Sequence, residues 1–577
     1  MNGTDVIRLK GVTPVYRTQY ETWLTSPVLS AGQRAELSAL NREEISDRFY
    51  RTLAFGTAGL RGVMGMGLNR MNEYIVRQAT DAFAAVIRKA GLADKGICIC
   101  YDCRINSRFY AEEAANVMRC RGIPVYLFRD CRPTPQLSFA VRHFGAAAGI
   151  NVTASHNTKE YNGFKVYWQG GAQLPTHMAD LVAAEMEHID PLAPRLESAD
   201  PAPLTWLEAD FDELYINAVL QCAIAPEHLA EQAFPVVYTP FHGVGGAIAP
   251  EVLRRAGLTH MVFVEEQMAP DGTFPTVKSP NPEDPAGFTL AIDYAKRHDI
   301  DFIVGTDPDA DRVGIVVRDK DGRYVPVSGN RTGALLLHYI LTVGKEKGIL
   351  PRHPALVKTI VTSALPRVIA EKHGCASFST FTGFKYMAEQ VAQLEAEGKY
   401  RYVMAYEESY GYMMGDHARD KDGVVGALLL CEMAAWYRSR GMTVLEGLEE
   451  VFRLYGAFGE VTRSVMLPGQ DGAARMARIM ETLRQQPPAI MGGIPVRAWR
   501  DYDTGKRYED GAVTDADLKG SNVLFYELAT GESLVVRPSG TEPKIKVYAL
   551  MEGATAEEAD GRAAACALQA EQQLLAL

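Results

Sequence analysis

The chain has 577 residues, 47% of them apolar and 23% charged, the balance of an ordinary globular protein rather than of a disordered or fibrous one. At roughly 150 residues per domain this length calls for three to five domains. A net charge of −11, from 60 basic and 71 acidic residues, argues against a general nucleic-acid binder but leaves room for a local basic pocket that takes a small anion.

In chain order, the opening "MNGTDVIRLKGV" lacks the apolar core of a secretory signal. Helical and strand-like segments alternate from about residue 70. "EYIVRQATDAFAAVIRKAG" has helical spacing and stops at a glycine. The strand-like "KGICICYD", the helical "YAEEAANVMRCRG" and the strand-like "IPVYLFRD" follow, a βαβ rhythm that implies helices packed on a sheet. The Pro-rich stretch 188–206 is the best linker candidate. The rhythm recurs at 212–240, at 287–305 and between 330 and 430, and domain boundaries fall near 208, 329 and 450. The longest apolar run, "VVGALLLCEMAAW", is too short and interrupted to span a bilayer. The last part reads as strands joined by turns and then an Ala-rich helix, an α+β pattern. No sequence repeat of fixed period is visible. Nine scattered cysteines favour reduced thiols in a cytoplasm. Cys98, Cys100 and Cys103 lack a fourth ligand and a knuckle turn, and read as packing residues.

Several loops carry candidate chemistry. "FGTAGLRG" (55–62) spaces its glycines unlike a dinucleotide fingerprint, and no Walker A sequence occurs. "TASHNTKEYNGFKVY" (153–167) follows the apolar "AAAGINV", so Ser155 is either a nucleophile beyond a strand end or part of a surface turn. His242 reads as a structural or domain-interface histidine. In "GTDPDADRVG" (305–314) the carboxylates of Asp307, Asp309 and Asp311 repel one another unless a cation neutralises them. Oxygen ligands alone suit a hard ion, Mg²⁺ before Ca²⁺. An EF-hand is excluded by Arg312 where glycine is needed and Arg318 where glutamate is needed. "YEESYGYMMGDHARDKDG" (406–423) offers Glu407 and Ser409 as acceptor and donor for vicinal sugar hydroxyls. "RPSGTEPKIKVY" (537–548), with Arg537, Ser539, Gly540 and Thr541, forms a phosphate cradle between two strands.

Taken together and in this order, "TASHN", "DPDADR", "EES" and "RPSGTEP" resemble the α-D-phosphohexomutase superfamily over nearly the whole chain. "FGTAGLRG" and "YTPFHGVG" look most like the branch of bacterial α-phosphoglucomutases, phosphopentomutases and glucose-1,6-bisphosphate synthases, while Gly411 departs from the phosphomannomutase-like pattern. The resemblance implies a heart-shaped α/β protein with the active site in a central cleft: a phosphoserine-bearing domain (1–208), a metal-binding domain (209–329), a sugar-binding domain (330–450) and an α+β phosphate-binding domain (451–577). The first three would be related α/β domains with mixed sheets.

It implies that Ser155 is phosphorylated and, with Asp307, Asp309 and Asp311, holds Mg²⁺. Lys165 would transfer the proton, Arg61 and His156 would contact the phosphoserine, and Arg312 and Lys385 would contact substrate. A lysine among other cations is expected to have a lowered pKa, which suits a base. The implied reaction interconverts α-D-glucose 1-phosphate and glucose 6-phosphate, with glucose 1,6-bisphosphate as activator and intermediate. A pentose or mannose mutase, a bisphosphate synthase, a phosphatase and a non-catalytic sugar-phosphate sensor stand as alternatives. The expected partner is a small phosphosugar, with neither nucleic acid nor membrane, acting on a monomer or dimer in the cytoplasm.

Overall fold

A computed structural model describes residues 15–56, 59–467, 471–539 and 544–577. Three helices precede the first predicted element: Val15–Thr25, Ala31–Ser38 and Arg42–Phe49. The starts of the second and third are written in capping boxes, Ser30 with Gln33 and Asn41 with Glu44, in which each side chain satisfies the other's orphan backbone N–H. Trp23, Leu37 and Phe49 anchor them in the first hydrophobic core. The helix expected at 73–91 runs Glu73–Lys89, and Gly91 follows in the left-handed region with φ 70°.

The first sheet orders its strands Gly59–Val63, Tyr161–Trp168, Ala148–Val152, Ile97–Tyr101, Val125–Phe128 and Leu204–Leu207. The first two pairings are antiparallel and the remaining three parallel. Ile97–Tyr101 is buried at every position, as a central strand covered on both faces must be. The stretch 188–206 is therefore no free linker: its end enters the sheet as Leu204–Leu207, and Arg119 Nε donates to the Ala202 carbonyl at 2.7 Å.

The second sheet, Tyr324–Pro326, Val313–Arg318, Phe302–Thr306, Pro235–Thr239 and His260–Phe263, repeats the plan with antiparallel pairs at one edge and parallel pairs beyond. The third, Ala376–Thr380, Pro354–Thr359, Arg401–Glu407 and Gly411–Met413, has two parallel pairs and one antiparallel hairpin. In all three sheets one loop turns a parallel strand back into its antiparallel neighbour. These loops lie at 153–160, 307–312 and 408–410, and each contains a non-glycine residue with positive φ: Ser155 at 52°, Ala310 at 51° and Tyr410 at 64°. A repeat of topology thus exists where no repeat of sequence is visible.

The second and third units share one core, which runs from Tyr215 to Phe458 and includes the buried helices Gly329–Glu346 and Gly423–Ser439. No helix among the described residues is long and apolar enough to cross a membrane. Among the described residues the C-terminal unit is an antiparallel sheet of eight strands, with the helix Ala556–Leu575 packed against it around a separate core. It meets the third unit through the Arg331–Asp560 ion pair at 2.6 Å and the Ser328–Glu460 hydrogen bond at 2.8 Å.

Candidate active site

Ser155 sits in the first of the three hairpin loops and is 2% exposed. Its left-handed backbone costs on the order of 1–3 kcal/mol for a residue with a Cβ, so other contacts must fix it. Asp102 and Arg104, at the end of Ile97–Tyr101, supply them. Asp102 accepts from Thr153 Oγ1 at 2.6 Å, and Thr153 Oγ1 in turn accepts from the Ser155 backbone N–H at 2.8 Å. The Arg104 guanidinium donates to the carbonyls of Thr158 at 2.9 Å and Tyr161 at 3.1 Å, and also to those of Ser155 and Asn157. Neither residue was singled out from the sequence, where "YDCRINS" reads only as a strand end.

Lys165 reaches the same cleft from the strand Tyr161–Trp168, paired with Asn151 on one side and Gly59 on the other. Gly59 has φ 108°, and a Cβ there would meet the Phe164 carbonyl oxygen at 1.9 Å. Only glycine lets the edge strand lie so close. Arg61, on that edge strand, donates to Asn157 Oδ1 at 3.1 Å, beside the serine loop. Thr57 and Ala58 of "FGTAGLRG" lie outside the described residues.

The carboxylates of Asp307, Asp309 and Asp311 are fully buried and present ligand oxygens within 4.8 Å of one another. Ser155 Oγ donates to Asp307 Oδ2 at 2.7 Å and lies 3.3 Å from His156 Nδ1. Lys165 Nζ contacts Asp309 at 2.7 Å and Asp311 at 3.1 Å, and Lys421 Nζ contacts Asp311 at 3.0 Å. Thr134 clamps the loop across the domain boundary, with its hydroxyl on Asp309 Oδ2 at 2.7 Å and its N–H on the Asp309 carbonyl at 2.9 Å.

The residues fit a hard cation. The donor set is oxygen only, and Asp309 Oδ1 and Asp311 Oδ1 are buried without a hydrogen-bond partner, a costly state for carboxylate oxygens that a metal ion would relieve.

Charge in this cluster is tightly linked. Burial and the neighbouring Asp309 and Asp311 push the Asp307 carboxyl well above the usual range. Burial works against Asp309 ionising too, but Lys165, Thr134 and Lys421 outweigh it and hold that carboxyl low. Burial favours a neutral Lys165 amine, yet Asp309 and Asp311 overcome it, so its pKa is raised. This corrects the expectation of a lowered Lys165: the dominant neighbours are carboxylates of the second unit, not cations. Burial, Arg312 and Arg61 push the His156 imidazole well below its ordinary value, so it is neutral at pH 7.

The third loop approaches through Arg312. Its guanidinium donates to Glu283 Oε1 at 2.9 Å and to the Ser409 carbonyl at 3.2 Å. Burial pushes the Glu407 carboxyl up to about 7 against the pull of Lys421 and Arg312. Lys421 was missed in the sequence because "DHARDKDG" reads as a solvated charge run; beside its neighbour Asp420, its nearer partner Asp311 belongs to another unit.

Lys385 is buried in the first turn of Phe384–Glu397 and donates to Thr176 Oγ1 of the first unit at 2.7 Å, apart from the aspartates. Arg537 donates to the Tyr548 hydroxyl at 3.1 Å, and the Ser539 N–H donates to the Lys544 carbonyl at 2.8 Å. Gly540 and Thr541 lie outside the described residues. His242 is buried, with Nε2 at 2.9 Å from Thr276 Oγ1 and its carbonyl 3.2 Å from Cys103 Sγ of the first unit, a structural and interface position. Cys98 and Cys100 are core residues.

Four family domains match the chain in order: phosphoglucomutase/phosphomannomutase alpha/beta/alpha domains I, II and III over 52–193, 213–322 and 328–455, and the C-terminal domain over 505–569. A phosphoglucomutase of Staphylococcus epidermidis is 36% identical over 515 residues, covering 88% of this chain and 92% of that one. One from Staphylococcus aureus is 34% identical over 515 residues, covering 88% and 90%. In fold, the open form of the Paramecium phosphoglucomutase parafusin superposes with a TM-score of 0.65 at 19% identity, over 90% of this chain and 95% of that one. The chain is a member of the phosphoglucomutase/phosphomannomutase family, a mutase that acts as an intramolecular phosphotransferase.

Proposed function

We propose that the protein interconverts α-D-glucose 1-phosphate and glucose 6-phosphate, with Ser155 carrying the phosphoryl group and glucose 1,6-bisphosphate as the intermediate. The observation that carries this reading is the Ser155 hydroxyl on Asp307 at 2.7 Å, in one buried cluster with Asp309, Asp311 and Lys165. A surface turn would not bury a hydroxyl against a carboxylate of such a cluster.

In the forward half-reaction the bond between phosphorus and Ser155 Oγ breaks, and a bond to the free sugar hydroxyl forms. The hydroxyl's proton passes to Lys165 Nζ. The bisphosphate turns end for end, and the second half-reaction runs the same step backwards onto Ser155. Mg²⁺ held by Asp307, Asp309 and Asp311 with an oxygen of phosphorylated Ser155 would neutralise the transferring group. Lys165 can accept the proton only when Asp309 and Asp311 are engaged elsewhere; burial, Lys421 and Arg61 then all favour the neutral amine. Arg61 and neutral His156 flank the phosphoserine, and the three units wall the cleft against water. Lys385 would exchange Thr176 for the sugar, and Arg312, Glu407 and Ser409 would read its hydroxyls. The arginine, serine, glycine and threonine of the loop at 537–541 would anchor the non-reacting phosphate. The boundaries near 208, 329 and 450 are our division into catalytic, metal, sugar and phosphate domains. A cytoplasmic location is supported by the nine cysteines, all free.

Turnover of glucose 1-phosphate with Mg²⁺ and a trace of glucose 1,6-bisphosphate, beside ribose 1-phosphate and mannose 1-phosphate, tests the reading. Preference for glucose is expected. Preference for another sugar keeps the mechanism and changes the substrate, and no turnover of any sugar sinks the proposal. Two further outcomes follow. Exhaustive chelation should lower kcat at least about 100-fold, since such a cation contributes several kcal/mol of charge stabilisation, and added Mg²⁺ should restore it; a chelated enzyme at full rate would make the aspartate cluster purely structural. Arg537→Ala should raise KM about 10- to 100-fold, the worth of charge-assisted hydrogen bonds, with the thermal midpoint close to wild type. An unchanged KM would take that loop out of phosphate binding.

A further inference from the structure

Away from the aspartates, a cavity of about 320 Å³ opens between the second and third units. Its walls include Ile224, Ile340, Leu350 and Val403, and Cys222 stands on its surface. Cys222 lies near the end of the helical stretch Ala209–Leu220 and is partly exposed. Its Sγ is 3.7 Å from His417 Nδ1, and His417 Nε2 is 2.8 Å from Asp422 Oδ2, which also accepts from the Tyr215 hydroxyl at 2.8 Å. Asp422 itself caps the helix Gly423–Ser439, its Oδ1 accepting from Val424 and Val425. The carboxylate is thus fixed, and it fixes the ring nitrogen that faces the thiol. Gly415, at φ 75°, makes the approach possible: a Cβ there would stand 2.4 Å from Cys222 Sγ and 3.0 Å from His417 Nδ1.

We propose that Cys222 is a reactive thiol, activated by the His417–Asp422 pair, that takes small electrophiles and peroxides from this cavity. Nothing in the mutase reaction uses these residues. Cys222 Sγ also lies 3.6 Å from the Ala218 carbonyl; a thiol beside an imidazole whose far nitrogen is held by a carboxylate has a base at hand to take its proton as the sulfur attacks. Burial works against a charged His417, but Asp422 and Cys222 outweigh it and push the imidazole up to about 9. With hydrogen peroxide as oxidant, the sulfur attacks one peroxide oxygen, the S–O bond forms and the O–O bond breaks. The leaving hydroxide takes the proton from His417 and departs as water. Sulfur loses two electrons and peroxide gains them, leaving a sulfenic acid. Because Gly415 closes one side of Sγ, the added oxygen projects into the cavity, whose lining mixes these apolar side chains with Arg401 and Asp416.

The test uses an internal reference. Cys120 is also partly exposed, and among the described residues no histidine hydrogen-bonds its sulfur. Full-length protein is pulsed with iodoacetamide, or with hydrogen peroxide followed by dimedone, and each cysteine is followed by mass spectrometry. Cys222 is expected to react about tenfold or more faster than Cys120. In His417→Gln the Cys222 rate should fall to that of Cys120, whose own rate stays as in wild type and reports an intact fold. Equal rates for the two cysteines in the wild-type protein overturn the proposal without any variant. A Cys222 rate indifferent to His417→Gln, with Cys120 unchanged, overturns it as well.

Discussion

Ser155→Ala should lower mutase kcat on the order of 10⁴-fold or more, the scale on which loss of a nucleophile acts, and leave a folded protein. The hydroxyl donates to Asp307 and touches His156, so its removal costs stability no more than about 3 kcal/mol. The loop backbone keeps its left-handed turn because the clamp comes from Arg104, not from the serine side chain. Coupled turnover of glucose 1-phosphate, with denaturant midpoints alongside, reads both effects. A variant that still turns over within a few-fold of wild type would remove the serine from the mechanism. A variant that loses both turnover and fold would move it into the scaffold.

Arg104→Met tests the clamp itself. Methionine replaces much of the volume but none of the N–H groups, so four loop carbonyls and the Asp102 carboxylate at 3.3 Å lose their donor or counter-charge. Removing one member of a buried charged pair costs about 3–5 kcal/mol. The catalytic consequence comes through position: a serine displaced by about 1 Å loses roughly 100-fold in rate. The expected signature is a lowered denaturant midpoint with kcat down by that factor and KM within a few-fold of wild type. A variant with unchanged kcat would show that other contacts hold the serine loop.

What could be read from the sequence follows from how local each signal is. The helix Glu73–Lys89, the buried strand Ile97–Tyr101 and the aspartate loop announce themselves within a few residues, through periodicity, a terminating glycine or crowded charge. Lys421 and Arg104 do not, because each acquires meaning only from a partner far away in the chain: Asp311 for the one, the carbonyls of 155–161 for the other. The Lys165 amine was misjudged for the same reason, since Asp309 and Asp311 arrive from a different sheet. The stretch 188–206 carries the prolines of a linker but ends in a strand; the sheet edge waiting for it is a tertiary fact. The helices Ala31–Ser38 and Arg42–Phe49, by contrast, carry capping boxes that are legible in the sequence.

The three sheets turn at corresponding hairpin corners, and each corner holds a different chemical tool: the hydroxyl at 155, the carboxylates at 307–311, the Glu407–Ser409 pair. Each corner rests on its own strand pair, although the second and third also join where the Val313 N–H donates to the Tyr410 carbonyl at 3.1 Å and Arg312 donates to that of Ser409. Under the proposed function, phosphoryl chemistry and sugar choice then sit on different corners. Relatives that agree at the first two corners are free to differ at the third, and a search for new substrates belongs there, with the serine and the aspartates left alone.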